Sequence, residues 1–313
     1  MVDRTKIFAK EKLDTKKFAN TDFGYVVPEI GDLYKIHNHR DKATLNMYNS
    51  ANGVYIDGSI RKWYLGSHSL RDLTRTEIKT VCEKISEITG LSVKALLKAI
   101  ICILEFGLTF YMSVLPATLL ESMYRYSSFK LGRFDTSISF RGYDYWLVGY
   151  DKSIEIQKWG ANNLVIPKDT NALRLELKAF ARSAFDRKLR KVETLEDVIV
   201  QYQKLIMSFY VEIKKLEMSS INHITDDVKV TVSTASELNR YLKYKGIKAI
   251  GERKTSLAIN SLSDSNRAKS YHRKVMREIL AEYSHKSDYS NFNFLREIAK
   301  QLTVKLHEPL PVL

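Results

Sequence analysis

The chain has 313 residues, 44% of them hydrophobic, which is long enough to bury a sizeable core. Lysine and arginine number 50 against 36 acids, for a formal net charge of +14, so the expected partner is a polyanion, with nucleic acid first and a membrane surface or the ribosome as alternatives. Only two cysteines occur, which excludes a disulfide framework and a cysteine-based zinc site. The first residues lack the apolar core of a signal peptide, so a reducing cytoplasm is the expected location.

The first third of the chain changes character near residue 50. Residues 1–50 are polar and weakly periodic, and the pattern predicts no structure for them. Val54 to Ile56 and Ile60 to Leu65 are short β-like runs on either side of Asp57-Gly58, which predicts a hairpin.

A helix is predicted next. Thr74 and Glu77 have the spacing of a capping box, and Gly90 supplies a stop. The apolar residues between them recur at helical spacing, at Ile78, Val81, Cys82, Ile85 and Ile88.

The most apolar stretch runs from Ala99 to Leu120. Glu105 and Pro116 argue against a membrane span, because a central acid costs about 2.5–3.5 kcal/mol on insertion. The β-branched and aromatic residues from Ile100 to Phe110 predict a core strand, and Pro116 opens a helix through Met123. No membrane partner is therefore expected.

Three further strands follow. Phe134 to Phe140 and Tyr145 to Tyr150 are predicted to pair. Leu173 to Lys178 alternates, with leucines on one face and Arg174, Glu176 and Lys178 on the other.

After Arg182 the periodicity becomes helical. Leu195 to Met218 is predicted as one long amphipathic helix, and Thr234 with Glu237 caps another that ends at Gly246. Between Asn239 and Glu278 eleven basic residues stand against three acids, with Tyr241, Tyr244 and Tyr271 among them. This density favours a phosphate-binding surface, and the alternative is the solvated faces of ordinary helices.

These patterns predict an α+β fold with a largely antiparallel sheet and packed helices, followed by a basic, mostly helical C-terminal region. We divide the chain into an N-terminal segment of uncertain structure (1–50), a catalytic domain (51–185) and a helical DNA-binding region (186–313). The candidate DNA-binding residues are Lys62, Arg174, Arg240, Lys243, Lys245, Lys248, Arg253, Lys254, Arg273 and Lys274.

The segment Trp146-Leu147-Val148-Gly149-Tyr150-Asp151-Lys152 holds the candidate nucleophile. On an extended strand Tyr150 and Lys152 project from the same face. A phenol with a pKa near ~10 needs a neighbouring cation or metal to become an effective nucleophile. Lys152 could stabilise the phenolate or neutralise charge on a phosphate. The alternative is a half-buried strand tyrosine covered by a surface lysine.

A metal site is predicted from three separate residues. Glu105 is the only charged residue between Lys98 and Glu121, and a buried carboxylate needs a partner. Glu105, Glu176 and His68 could together hold Mg²⁺ or Mn²⁺, which prefer carboxylate oxygens and substrate phosphate. The alternative for Glu105 is a solvent-facing or arginine-paired position.

Four motifs together resemble a known family. They are the segment 57–66, Leu104-Glu105-Phe106, the segment 147–152, and Leu173-Arg174-Leu175-Glu176. In order and spacing they are similar to those of phage and plasmid replication initiation proteins of the filamentous-phage gene II/X type. The resemblance covers residues 50 to 185. The family's acidic strand usually reads Arg-hydrophobic-Asp, whereas this chain has Ile103-Leu104-Glu105.

The resemblance implies a Rep-like or relaxase-like fold and rolling-circle replication. It implies nicking of one DNA strand at an origin, with Tyr150 linked to the 5′ phosphate and the strand later rejoined. Origin DNA, single-stranded or in supercoiled duplex, and a divalent metal are then expected. The resemblance also implies the cytoplasm of a bacterial host, whose replication machinery is a further candidate partner.

Several alternatives stay open at this stage. A related superfamily binds its metal through His-hydrophobic-His, and the nearest triplet here is His37-Asn38-His39. Tyr143 and Tyr145 are rival nucleophiles, although Tyr145 should face away from Tyr150 on a regular strand. The chain could also be a DNA-binding protein of this fold without catalysis, or a basic interaction protein unrelated to DNA.

Overall fold

The computed structural model describes residues 2–29, 31–158, 170–181, 183–184, 188–189, 191–219, 221–222, 234–283 and 288–307. The chain forms two compact units, Met1–Ser219 together with Ser290–Leu313, and Ser220–Tyr289. These limits do not coincide with the predicted boundaries at residues 50 and 185. The first fifty residues and the last helix belong to the same unit as the main sheet.

The larger unit is built on a sheet of ten strands in which every neighbouring pair is antiparallel. Its strands, numbered in chain order, are β1 (Val2–Ala9), β2 (Gly24–Pro28), β3 (Leu33–Asn38), β4 (Thr44–Ser50), β5 (Gly53–Ser59), β6 (Ile100–Tyr111), β8 (Lys130–Phe134), β9 (Ser137–Arg141), β10 (Tyr145–Asp151) and β11 (Ala172–Ala179). Their order across the sheet is β2-β3-β4-β5-β1-β6-β11-β10-β9-β8. Two short sheets pair β7 (Met123–Tyr126) with β12 (Leu216–Met218) and β13 (Ile221–Asn222) with β14 (Asp288–Tyr289).

Helices accompany this sheet and confirm the predicted α+β class. Those with described bounds are α1 (Ile60–Leu65), α2 (Arg75–Thr89), α3 (Val93–Leu97), α4 (Pro116–Ser122), α5 (Lys152–Lys158), α6 (Leu195–Val200), α7 (Tyr202–Ile213), α8 (Ala235–Ile250), α9 (Glu252–Ser261), α10 (Asn266–Tyr283) and α11 (Asn291–Leu306).

The first fifty residues supply four strands of the sheet. Strand β1 lies at the centre, between β5 and β6, and buries Val2, Ile7 and Ala9. The sequence gives no local sign of this, because the neighbours of β1 are contributed by distant parts of the chain.

The central strands have one apolar and one polar face. Leu173, Leu175 and Leu177 of β11 are buried on the first, where Phe106 of β6 contacts Phe209 of α7 at a centroid distance of 5.5 Å. The second face carries Arg174, Glu176 and Lys178 of β11 beside Tyr150 of β10, and we call it the polar face. The predicted alternation of β11 is therefore confirmed.

Helix α2 is the clearest success of the local pattern. The Thr74 side chain accepts from the backbone N–H of Glu77, and the Glu77 carboxylate accepts from the backbone N–H of Thr74. Gly90 ends the helix at a φ of 72°, in the left-handed region that favours glycine. The five predicted apolar positions are all buried.

The predicted hairpin at Asp57-Gly58 is wrong. Both residues lie inside β5, and Ile60–Leu65 is helix α1 instead of a strand. The side chain of Ser59 caps this helix by accepting from the backbone N–H of Lys62, a local signal that outweighs the strand-like apolar and aromatic residues of the segment.

Three predicted element ends also differ. The long helix from 195 to 218 is two helices, α6 and α7, separated at Gln201 and followed by β12. Helix α8 starts at its predicted capping box but continues past Gly246 to Ile250. Strand β10 ends at Asp151, and Lys152 begins α5, because the Asp151 side chain accepts from the backbone N–H groups of Ser153 and Ile154.

The smaller unit is helical and has its own core. Tyr244 and Ile247 of α8 pack with Ile279 and Leu280 of α10. No helix in the described part of the chain is long and apolar enough to cross a membrane.

Candidate functional site

A tyrosine and a carboxylate meet on the polar face. Tyr150 lies directly opposite Arg174 in the pairing of β10 with β11, and Glu176 is two residues further along β11 on the same face. The Tyr150 hydroxyl donates to Glu176 Oε1 at 2.8 Å. The site therefore places a proton acceptor on the candidate nucleophile.

Arg174 holds the Glu176 carboxylate in place through a buried hydrogen-bond network. Its Nε donates to the same Oε1 at 2.8 Å, Nη1 donates to Asp72 at 2.7 Å and Nη2 donates to Asp3 at 3.0 Å. The side chain is 0% exposed. A guanidinium buried in this way is a structural cation, so the predicted contact of Arg174 with DNA does not fit its position.

Gly107 of β6 makes room for this arrangement. It pairs with Glu176, and a Cβ at this position would lie 2.6 Å from Glu176 Cγ and 3.2 Å from Arg174 Nη2. The absence of a side chain there lets Glu176 and Arg174 lie across the strand.

The second predicted carboxylate, Glu105, shares an ion-pair partner with Glu176. Lys178 Nζ lies 3.2 Å from Glu105 Oε1 and 3.4 Å from Glu176 Oε2, so one ammonium joins both acids. Burial raises the pKa of Glu105, Lys178 opposes that shift, and the charges of Glu176 and Asp3 add to it. Glu105 is thus a poorly solvated carboxylate that gains from a nearby cation.

Asp3 of β1 is a third acid that the sequence did not single out. Burial alone would raise its pKa, but Arg61 and Arg174 hold that pKa well below its ordinary value. Its Oδ2 accepts from Arg61 Nε at 3.1 Å and from Arg174 at 3.0 Å.

These groups line a cavity of about 440 Å³, which we call the central cavity. Its polar walls include Asp3, Lys62, Glu105, Tyr150, Glu176 and Lys178. Lys62 Nζ lies 3.0 Å from Glu155 Oε1 and its side chain is 29% exposed, so this predicted DNA-binding residue is an ion-paired, partly exposed cation at the cavity wall.

The pKa of Tyr150 is raised well above its ordinary value. Burial is the main cause, and the charge of Glu176 adds to it while Arg174 partly opposes it. At neutral pH the resting group is therefore a neutral phenol, and its reaction requires transfer of a proton to a neighbouring base.

Lys152 does not take the predicted position beside the phenol oxygen. Its ammonium forms an ion pair with Glu155 and lies 5.8 Å from the centroid of the Tyr150 ring. The side chain is 0% exposed, and burial, followed by the charge of Arg61, lowers its pKa to about 8. The prediction failed because the strand ends one residue before Lys152.

The predicted metal triad is not assembled. His68 lies in the loop after α1 and does not line the central cavity. Among the described residues, no cluster of three or more histidine, cysteine, aspartate or glutamate side chains has a geometry that could hold a metal ion. The carboxylates nearest to Tyr150 are bonded to lysine and arginine instead.

The alternative nucleophiles and metal ligands that the sequence offered lie outside the central cavity. Tyr145 is 8% exposed and faces away from Tyr150, as predicted, while Tyr143 is 96% exposed in the turn between β9 and β10. His37 lies on β3, where its ring stacks on Tyr25, and His39 follows that strand on the surface. None of the four lines the central cavity.

The remaining candidate DNA-binding residues belong to the smaller unit. Lys243, Lys245, Lys254, Arg273 and Lys274 are exposed, and Arg240 is half-buried. The side chains of Lys248 and Arg253 lie outside the described part of the structure. Tyr244, which the sequence placed on the phosphate-binding surface, is instead buried in the core of the unit.

Of the two residues that sequence reasoning missed, Lys178 and Asp3, only Lys178 has a local signal. Lys178 is the next polar position after Glu176 on an alternating strand, so its place on the polar face follows from the pattern itself. Asp3 has no comparable local signal, because it reaches the site only through the pairing of β1 with β6. A comparison of the sequence with protein-family models and with curated proteins finds no match, so the site has to be interpreted from its own geometry.

Proposed function

We propose that this protein is a rolling-circle replication initiator that cuts one DNA strand at an origin through Tyr150 and later rejoins it. The observation that supports the proposal is the bond from the Tyr150 hydroxyl to Glu176 at the wall of the central cavity. A phenol, a base in contact with it and cations on the same wall are the groups that phosphoryl transfer to tyrosine needs.

In the proposed reaction, Tyr150 Oη forms a bond to the scissile phosphorus as its proton passes to Glu176. The bond from phosphorus to the 3′ oxygen breaks, and that oxygen takes a proton from solvent. The product is a 5′-phosphotyrosine and a free 3′ hydroxyl. Lys62 and Lys178 neutralise charge on the phosphate, and reversal of the step rejoins the strand without a further energy source.

Two acids at the cavity, fewer than the three predicted ligands, offer a divalent cation the oxygen donors that it prefers. Glu105 and Glu176 offer hard oxygen ligands, and the position of Lys178 between them shows where positive charge is already stabilised. Mg²⁺ or Mn²⁺ would be held by these two carboxylates. Such an ion would supply polarisation of the phosphate.

The proposal predicts a covalent protein–DNA adduct. Incubation with a set of single-stranded oligonucleotides and Mg²⁺ or Mn²⁺ should give a product that survives SDS, and Tyr150→Phe should abolish it because the phenyl ring has no nucleophilic oxygen. Tyr143→Phe is the matched control and should keep the adduct, since its side chain lies outside the cavity. An adduct that persists in Tyr150→Phe would overturn the assignment.

The same experiment distinguishes the proposed function from two alternatives. Binding of the oligonucleotides without an adduct under every metal condition would favour a DNA-binding protein that lacks catalysis. Absence of both binding and adduct would favour an interaction protein unrelated to DNA.

A further inference from the structure

A group of aromatic and basic side chains lies on the polar face beyond the central cavity. The guanidinium carbon of Arg141 is 4.9 Å from the centroid of the Trp146 indole and 5.8 Å from that of the Phe134 ring. Phe180 meets Trp146 edge to face, with centroids 5.5 Å apart. We call Phe134, Arg141, Trp146 and Phe180 the aromatic platform.

The platform shares its face with the candidate nucleophile. Trp146 and Tyr150 are four residues apart on β10, so the period of two puts both on the same side. The pairing of β10 with β9 also places Arg141 on this face, because Ser137 lies opposite Tyr150 and Arg141 lies opposite Trp146. At the usual rise of a strand the two Cα atoms are about 13 Å apart, so the platform lies beside the reacting group but does not touch it.

Core packing does not account for these rings. Phe134 is 58% exposed and Phe180 is 38% exposed, although aromatic side chains usually contribute to folding by burial. Basic side chains lie on both neighbouring strands, since Lys178 lies opposite Trp146 on β11 and Lys130 lies opposite Arg141 on β8. Val148, between Trp146 and Tyr150 on the same face, lines the central cavity and makes the surface continuous.

We propose that the aromatic platform stacks an unpaired base of the DNA strand whose phosphate lies in the central cavity. This inference rests on the proposed function. Exposed rings beside cations are the means by which proteins hold single-stranded nucleic acid, because the rings stack on bases and the cations follow the phosphates. Bases within a duplex are already stacked on their neighbours, so the occupant is single-stranded. The position of the platform makes it a subsite for a base at a distance from the cut.

The test compares two labelled probes in the Tyr150→Phe protein, where cutting cannot interfere. One is a fluorescein-labelled oligothymidine of about twenty nucleotides, and the other is an abasic strand of equal length and charge. Fluorescence anisotropy should show that the parent binds the oligothymidine more tightly. Adding Trp146→Ala should weaken binding of the oligothymidine by about five- to one-hundred-fold and leave the abasic probe unchanged.

Two further variants control the result. Trp146→Phe keeps a ring and should keep most of the preference for bases. Phe292→Ala removes a ring of α11 that is 70% exposed and should change neither affinity. The inference is overturned if Trp146→Ala binds oligothymidine as tightly as the parent, if it weakens both probes equally, or if the parent binds neither.

Failure of the inference differs from failure of the proposed function. A preference for bases that depends on Trp146, in a protein that forms no adduct with Tyr150 intact, would overturn cutting and leave the platform in place. An adduct together with an unchanged preference in Trp146→Ala would overturn the platform alone.

Discussion

Lys152 shows what it costs to bury a charge beside a reactive group. Its ammonium is 0% exposed and has Glu155 as its ion-pair partner, with Arg61 and Arg174 close enough to disfavour its charge. A pKa of about 8, against an ordinary value of 10.5, means that the fold destabilises the protonated lysine even after the attraction of Glu155 is included.

Replacing this lysine should stabilise the protein, and the gain should depend on pH. Below pH 8 both the folded and the unfolded chains carry the proton, so the penalty is complete. Between pH 8 and 10.5 only the unfolded chain keeps it, so this group makes stability rise with pH across that window. Lys152→Met should raise the free energy of unfolding by about 1–3 kcal/mol at pH 7 and by less at pH 9.5, measured by urea denaturation.

Lys62→Met is the matched control, because Lys62 binds the same Glu155 but remains partly solvated. It has a smaller desolvation penalty to relieve, so it should give no comparable gain. A Lys152→Met protein that is less stable than the parent at pH 7, or one whose gain does not shrink with pH, would contradict the argument.

Three of the candidate residues that the sequence singled out lie together in the structure. Tyr150, Glu176 and Glu105 share one wall of the cavity, because strands of period two keep alternate residues together and the chain brings β6, β10 and β11 side by side. His68 could not be judged in the same way, since a loop has no periodicity that fixes its direction. Asp3 depends on a pairing about one hundred residues away, which no local pattern contains.

At the scale of elements, the contact of β6 with β11 determines the shape of the site. Gly107 is the position where the backbone of β6 approaches the side chains of Glu176 and Arg174. Glu176 is 3% exposed and is bonded to Tyr150, Arg174 and Lys178, so it has little freedom to move aside.

A methyl group at this position should therefore damage both stability and reaction. Gly107→Ala places a Cβ 2.6 Å from Glu176 Cγ, and we expect a loss of about 1–3 kcal/mol in the free energy of unfolding. Adduct formation should fall as well, because the displaced carboxylate no longer accepts from Tyr150. Thermal unfolding and the SDS assay measure the two effects.

Gly246→Ala is a control that should stabilise its helix, whereas Gly107→Ala should destabilise the protein. Gly246 lies inside α8, and a Cβ there would meet nothing within 4 Å. Alanine favours a helix over glycine by about 0.5–1 kcal/mol, so this variant should protect the amides of α8 from hydrogen exchange. A Gly107→Ala protein as stable and as active as the parent would show that the close approach does not matter.

The elements that the sequence predicted best are those with complete local signals. Helix α2 has its capping box, its apolar stripe and its terminal glycine, and β11 has clean alternation. The prediction for residues 57 to 65 failed because apolar and aromatic residues after Asp57-Gly58 suggested a second strand, whereas the Ser59 cap starts helix α1. The helical periodicity is continuous from 195 to 218, so it does not indicate that one helix ends and another begins at Gln201. No proline or glycine marks this break.

At the scale of the whole molecule, the charge of +14 is shared between the two units. The larger unit has lysines at the central cavity, and the smaller one has exposed basic side chains on α8, α9 and α10. If these side chains contact phosphates, binding releases counterions and weakens as salt increases.

Neutralising two of these exposed basic side chains should reduce the salt dependence of DNA binding by a predictable amount. Arg273 and Lys274 are exposed neighbours on α10. The double variant Arg273→Gln, Lys274→Gln should bind single-stranded DNA less tightly and reduce the slope of log affinity against log salt by about one or two. Anisotropy titrations at several sodium chloride concentrations give the slope.

Lys300→Gln is the reference for that experiment, since Lys300 is an exposed lysine on α11 in the other unit. It should leave the slope unchanged if the smaller unit carries the phosphate contacts. An effect of Lys300→Gln half as large as that of the double variant would mean that binding responds only to total charge.

The central place of β1 also governs how the chain reaches its native state. Its partners follow it in sequence by about fifty residues for β5 and about one hundred for β6. Pairings this remote slow the search for the native arrangement, and meanwhile the edges of β5 and β6 stay open to other chains. Growth at low temperature, which slows translation and weakens hydrophobic association, should therefore raise the yield of correctly assembled protein.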